Sequence, residues 1–405
     1  MHRTTGTGNV AGLFTGGPPA TCLTPEFLNS IQEEICGVIE SAGIAVATDG
    51  YSDTKNQLLT AIRTLLPTSQ YDVIVTNQAQ FNAIIERIGA NHYHIRDSYR
   101  SVLLRNTGIG YLCGGSGSFL SGGDTWGYLQ TNNCTHFRME NGAYLDIAGT
   151  AFYFEQNTDN CKCDNVWIRG NESISTTTVS IFRLNGSNVI YDNCRVSNLS
   201  SSSTCRIFDG FTSATDDQIL TTKFIGCSSF TLRPTEDLYI FASIKNVSNC
   251  LVYDASTTTA GVNIECFKDI YNIGTCTANN ISTTTGTSVG FTDTYQCSSC
   301  YAYNLHSTTG ANYGFSGSHN LTSCFADEIT STGAALVYGF NSCTYMSSCQ
   351  AGTITTVGGT ENGFHSCSYM ASCYTTEAAN AGNDFVNTDD TEVATNFSCP
   401  GTVWT

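Results

Sequence analysis

The stretch Phe291-Thr292-Asp293-Thr294-Tyr295-Gln296-Cys297-Ser298-Ser299-Cys300 returns 24 residues later as Phe315-Ser316-Gly317-Ser318-His319-Asn320-Leu321-Thr322-Ser323-Cys324. What the two copies share is a phenylalanine followed nine positions on by a cysteine. The same pairing occurs as Phe241/Cys250, Phe267/Cys276, Phe340/Cys349 and Phe364/Cys373. Successive phenylalanines lie 26, 24, 24, 25 and 24 residues apart. A fixed period of this length means one structural unit stacked on copies of itself.

Each unit has more apolar positions in register. Six residues after the phenylalanine stand Val247, Ile273, Cys297, Leu321, Met346 and Met370. Five after the cysteine stand Ala255, Ile281, Leu305, Ile329, Ile354 and Ala378. Runs of Ser, Thr and Gly follow, such as Ser282-Thr283-Thr284-Thr285-Gly286. Each unit therefore reads as three short stretches separated by turns. They are too short for helices and carry Val, Ile, Phe, Tyr and Thr. Two-helix repeats need about 33 residues or more, whereas three short strands fit about 24. Stacked coils would bring like residues above one another at roughly 4.8 Å, the strand spacing of a sheet. The expectation is a mainly β fold, a right-handed parallel β-helix with Phe241, Phe267, Phe291, Phe315, Phe340, Phe364, Cys250, Cys276, Cys300, Cys324, Cys349 and Cys373 as its core ladder. An intertwined trimeric β-prism is the alternative. Phe154, Ile181-Phe182 and Ile207-Phe208 extend the pattern upstream with longer loops, giving about ten coils.

Composition narrows the partners. Charged residues make up 13% of the 405, and the net charge is −17. An acidic surface argues against nucleic acid, which needs a basic stripe, and against anionic membranes. No stretch is apolar enough for membrane insertion. Met1 to Thr5 lead into Gly, Asn and Thr without the apolar run of a signal peptide, so assembly in a cytoplasm is expected. The 20 cysteines follow the repeat rather than a disulfide framework, which reads as buried thiols acting as small hydrophobes. Cys297-x-x-Cys300 and Cys161-x-Cys163 are half of a zinc pattern and lack the other half. No metal or cofactor is expected.

The N-terminal part differs. Thr24 offers an N-cap with Pro25 at the first helical position. Phe27, Ile31, Ile35, Val38 and Ile39 then form one apolar stripe that ends at Gly43. A second helix is expected from about Asp53 to Leu66, and a third from Thr76 to Ile88 with Phe81, Ile84, Ile85 and Ile88 on one face. The third would cap the first coil, whose open edge must be covered. The resulting division is a helical segment over 1–70, a capping helix and lead-in over 71–95, and a parallel β-helix over 96–400.

Gly8-Asn9-Val10, Pro19-Ala20-Thr21 and the run Leu23-Thr24-Pro25-Glu26-Phe27-Leu28-Asn29-Ser30-Ile31-Gln32-Glu33-Glu34 look like the N-terminal segment of bacteriophage tail fibre and tailspike proteins. Val38 to Ile44 and Asn56 to Ile62 match the same pattern, so the resemblance covers roughly residues 8–66. It implies that residues 1–70 dock to a virion, a baseplate or other tail protein, with Pro25, Phe27, Leu28, Ile31, Ile35 and Ile39 as docking residues. It also implies a homotrimer whose β-helix meets a glycan or protein of the host surface. Cys22 and Cys36 depart from the pattern.

Proteins of that kind include polysaccharide-cleaving enzymes. Glycoside hydrolysis needs two carboxylates about 5–9.5 Å apart. Asp192, Asp209, Glu236 and Asp237 are candidates, but no acidic position recurs with the repeat. Lys223, Lys245 and Lys268 show no pairing in sequence, and His306, His319 and His365 read as exposed loop histidines. Tyr295, Tyr301, Tyr303, Tyr313, Tyr338, Tyr345 and Tyr369 could offer platforms to a sugar or pack into the coils. The reading is a structural, adhesive fibre or spike subunit rather than an enzyme, with a depolymerase (glycosidase or lyase) on the same fold as the alternative.

Overall fold

A computed structural model of the chain describes residues 71–89, 92–105, 110–113, 128–131, 133–147, 153–156, 160–170, 180–184, 188–210 and 223–376, with short pieces at 9–10, 13–14, 30–31, 33–37, 40 and 385–386. The chain divides into two units, Met1–Asp72 and Val73–Thr405. The second is a parallel β-solenoid of about ten turns, built by one chain.

The three stretches of every repeat become three sheets. Sheet I holds strands such as Ser288–Thr292 and Asn312–Ser316. Sheet II holds shorter ones, such as Gln296–Ser298. Sheet III holds longer ones, such as Tyr301–Ser307. The chain visits I, II and III in turn, and each strand pairs in parallel with its counterpart one coil away. The register matches like with like: Phe291 lies opposite Phe315, Cys297 opposite Leu321, and Leu305 opposite Ile329.

Inward positions alternate with outward ones along each strand. The ladder phenylalanines are fully buried. From Phe182 through Phe208, Phe241, Phe267, Phe291, Phe315, Phe340 to Phe364 they form an unbroken stack. Ring centroids are 4.4–5.1 Å apart and planes lie within 10°. Ring spacing equals strand spacing, so hydrogen bonding and aromatic packing are satisfied by the same translation.

The corners explain the cysteines. Asn193, Asn249, Thr275, Ser299, Ser323, Ser348 and Ser372 all have φ of 52–54°, and Gly226 has 63°. Each directly precedes a buried cysteine: Cys194, Cys250, Cys276, Cys300, Cys324, Cys349, Cys373 and Cys227. A left-handed residue turns the chain from sheet II to sheet III within one step. Its N–H still reaches the next coil, as Thr275 does to the Ser298 carbonyl at 2.9 Å. The Cys300 thiol then donates to that same carbonyl at 3.4 Å. A small, polarisable side chain with a weak donor suits this inside corner. The 18 cysteines among the described residues are buried thiols outside any disulfide. Burial pushes the Cys227 and Cys276 thiols well above their ordinary value, which keeps them un-ionised and unreactive.

The N-terminal edge differs from the single helix expected over 76–88. The helix is Gln78–Ile84, capped by Asn77, whose side chain accepts from the Gln80 N–H at 2.9 Å. Ile85–Gly89 leaves it as a strand antiparallel to His92–Ile95. Next to an open sheet edge, a segment with β-branched Ile85 and Ile88 gains more from pairing than from another helical turn. Ile88, expected on the buried face, is 54% exposed. The ladder itself begins at Val73–Val75, which pairs with Val102 to Leu104. The helix covers the edge of sheet III: Gln78 Nε2 donates to the Leu112 carbonyl at 3.2 Å, and the Leu112 N–H donates to Gln78 Oε1 at 2.7 Å. Phe81 packs on Tyr111 with centroids 5.1 Å apart. In the first unit, residues 30–31, 33–37 and 40 are helical. The second expected helix, 53–66, lies outside the described residues. Among those described, no helix is long and apolar enough to cross a membrane.

Two stability measurements follow from the stack and the corners. Phe315→Ala, in the middle of the ring column, is expected to cost about 3–5 kcal/mol in urea denaturation. Thr275→Asn replaces an exposed β-branched residue at positive φ by one that tolerates it, and is expected to stabilise by about 0.5–1 kcal/mol.

Candidate functional site

With inward positions filled by the core, chemistry must come from outward ones. A sheet II strand has about three residues, of which the middle one points inward. The two flanking it form parallel outward columns. Lys223, Asn246, Asn272 and Gln296 make the first column; Ile225, Ser248, Gly274, Ser298 and Thr322 make the second. The small residues of the second column leave a cleft of about 570 Å3, with Asn320 at its far end. The amides are ordered along it: Asn272 Nδ2 donates to Asn246 Oδ1 at 2.9 Å.

One rim of this cleft is aromatic. Lys245, Tyr271, Tyr295 and His319 stand at the same corner of four successive coils. Lys245 Nζ lies 4.2 Å from the Tyr271 ring centroid. Tyr271 and Tyr295 stack at 4.9 Å and 12°, and His319 follows at 5.9 Å, tilted by 47°. The two tyrosines are 41% and 44% exposed. His319 Nδ1 is hydrogen-bonded to Thr344 Oγ1. One coil beyond His319, Tyr345 begins a second pair: Tyr345 and Tyr369 stack at 4.7 Å while 56% and 44% exposed. Both are in the left-handed region, φ 56° and 54°. That conformation is unusual for a bulky residue and marks an imposed geometry. Exposed π-faces beside ordered amide donors and acceptors can stack on an apolar ring face and hydrogen-bond its hydroxyls.

Towards the N-terminus the same face becomes ionic. Arg105 pairs with Glu140 at 3.0 Å, Glu140 with Arg138 at 3.3 Å, and Arg138 with Asp164 at 3.4 Å. Lys162 Nζ then reaches Asp164 at 3.8 Å and Asp192 at 2.9 Å. The hydrogen bond to Asp192 raises the Lys162 pKa. Burial holds His136, on the adjoining rung, below its ordinary value despite Asp164.

Of the acidic candidates, Asp192 alone joins this chain. Asp209, at the end of a sheet I strand, is paired with Arg206 at 3.1 Å. Asp237 accepts the Asn263 N–H at 2.8 Å. Glu236 is exposed beside it, between sheets III and I. The four do not converge. Lys268 does have a partner, Glu265 at 3.1 Å, and its ammonium lies 4.5 Å from the Tyr239 ring centroid. The histidines lie in strands rather than loops. His306 bonds Thr330 Oγ1 at 3.1 Å, and His365 stacks on buried Tyr338 at 4.4 Å. Among the tyrosines, Tyr295, Tyr301, Tyr345 and Tyr369 are exposed, Tyr303 and Tyr313 half-buried, and Tyr338 buried. Among the described residues no cluster of His, Cys, Asp or Glu could hold a metal. Of the docking residues, Ile31 is exposed and Ile35 half-buried, while Pro25, Phe27, Leu28 and Ile39 lie outside what the structure describes.

No protein-family model and no curated protein matches the chain in sequence.

Burial lowers the pKa of His365 as well as that of His136. Below the ordinary value of 6.5 the unfolded chain takes up protons that the folded chain refuses, so stability falls as pH drops through that region. The denaturation midpoint is expected to decline from pH 7 to pH 5, and His365→Gln to flatten part of that slope.

Proposed function

We propose that the protein is a fibre or spike subunit of a bacteriophage tail. Its N-terminal segment would dock to the particle, and its β-solenoid would contact a glycan of the host surface. Two things support this reading. Residues 8–66 resemble the virion-proximal segment of such proteins, and the solenoid carries an outward file of stacked tyrosines beside an amide-lined cleft. The tyrosine file carries the most weight. Large aromatic side chains kept in water on successive coils contribute nothing to the core, and such patches mark contact surfaces.

A depolymerase is the second reading, favoured by one observation. Asp164 and Asp192, on successive rungs of sheet II, face the same Lys162 ammonium at 3.8 and 2.9 Å. Adjacent carboxylates suit glycosidic cleavage. The adhesive reading is preferred because both carboxylates are engaged in ion pairs with that lysine.

Labelled antibody should decorate the tail of purified particles, and light scattering should give three chains per assembly. The full-length protein should bind host surface polysaccharide without releasing oligosaccharide. Tyr271→Ala combined with Tyr295→Ala should weaken that binding by roughly tenfold or more, by loss of stacking. Absence from particles would remove the virion reading. Released oligosaccharide, abolished by Asp192→Asn, would replace adhesion with cleavage.

A further inference from the structure

The corner where sheet II passes into sheet III opens a second cleft, of about 540 Å3, lined by Arg138, Glu140, Asn141, Asn165, Trp167 and Arg195 among others. Its aromatic wall is Trp167, held in place by Tyr144. Trp167 and Tyr144 have ring centroids 5.2 Å apart. The indole Nε1–H donates to Ser197 Oγ at 2.8 Å, and the Arg169 guanidinium lies 5.3 Å from the Tyr144 ring centroid. Arg195 sits opposite Trp167 on the next rung, so its side chain leaves the wall beside the indole.

Cations are distributed unevenly along the chain. Lys268 is the last Lys or Arg, and the 137 residues that follow hold ten Asp and Glu and no cation but histidine. By contrast, five cations stand on the coils around this cleft: Arg105, Arg138, Lys162, Arg169 and Arg195. They face four carboxylates. Glu140, Asp164 and Asp192 hold the first three at 2.9–3.8 Å. Arg169 stands opposite Asp146 in the ladder; burial raises the pKa of that carboxyl, and the guanidinium opposes the rise. Arg195, which lines the cleft and is exposed, has no ion pair among the described residues. The solenoid does not require an arginine there. The same column continues as Ser228, Leu251 and Thr277.

We propose that this cleft is a subsite for a sugar bearing a carboxylate, of the uronic-acid type. The planar carboxylate takes two parallel hydrogen bonds from the Arg195 guanidinium, a geometry that arginine matches and lysine does not. The apolar face of the sugar ring lies on Trp167, and its hydroxyls meet the amides of Asn141 and Asn165. One spare positive charge matches one negative charge. A dianionic phosphate, or a sugar with more than one negative charge per ring, would meet Glu140 and Asp164 with its excess charge, and a neutral sugar would leave Arg195 unmatched. The inference rests on the glycan-contact reading above and specifies part of its ligand.

The test is calorimetric titration of the full-length protein with short oligogalacturonates, their carboxyl-reduced neutral forms, and a sulfated oligosaccharide. Binding of the oligogalacturonate is expected, weakening as salt rises. Arg195→Ala should weaken it roughly 10- to 100-fold, and Arg195→Lys should recover only part of the loss. Trp167→Ala should weaken it too, while Tyr271→Ala with Tyr295→Ala should bind oligogalacturonate as the natural chain does. Thermal melting of each variant separates lost binding from lost fold. Equal affinity for the neutral form, a preference for the sulfated one, indifference to Arg195→Ala, or no binding of oligogalacturonate would each overturn the subsite. If host polysaccharide still binds and still depends on Tyr271 and Tyr295, the subsite alone falls. If host polysaccharide does not bind at all, the broader reading falls with it.

Discussion

Every feature of the solenoid follows from one constraint: each coil must repeat the one beneath it at the spacing of a hydrogen-bonded strand. The eight-ring stack from Phe182 to Phe364 obeys this because aromatic rings and paired strands share nearly the same separation. A one-residue slip would move every inward side chain of a strand outward. The phenylalanine column therefore acts as a register mark as well as a buried apolar surface. The constraint also decides where the chain tolerates irregularity. Phe208 and Phe241 are 33 residues apart yet stack at 4.4 Å and 10°, so the extra residues are spent between strands and not within them.

The corners show how a three-sheet coil closes on so few residues. A strand cannot bend sharply without leaving the extended region, and one left-handed residue is the shortest way to do it. Asn, Asp, Ser and Gly supply that conformation at most corners, which accounts for much of the polar, weakly charged composition. The thiol that follows answers a carbonyl that would otherwise accept a single hydrogen bond. The cysteines are thus a consequence of corner geometry. Their pattern requires neither disulfide nor metal.

What could be read before the structure, and what could not, divides along the same line. Phe, Cys and the aliphatic columns recur with the coil, so their period exposes the fold and even the register. The tyrosines are ambiguous in sequence, because a repeated aromatic does not say how far its neighbours cover it: Tyr338 is buried between Tyr313 and His365, while Tyr345, a few residues later, is exposed. The ionic chain was invisible. Arg105, Arg138, Lys162, Asp164 and Asp192 belong to coils of unequal length, and no recurrence links them until the strands are paired. Asp192 could be singled out as an isolated carboxylate, but its neighbour Asp164 could not. The helix end departs from the sequence pattern for a local reason. Ile84, Ile85 and Ile88 fit a helical stripe, and only the nearby open sheet edge makes a strand the better use of Ile85 to Gly89.

The most direct test of coil-on-coil registration is native-state hydrogen exchange across residues 223–376. The corner N–H groups of Thr275, Ser299 and Ser323 each donate to a carbonyl of the next coil at 2.9 Å. They should exchange as slowly as the strand amides on either side, with protection continuous through every corner. Corners that exchange like open loops, between protected strands, would contradict a ladder that runs through the whole coil.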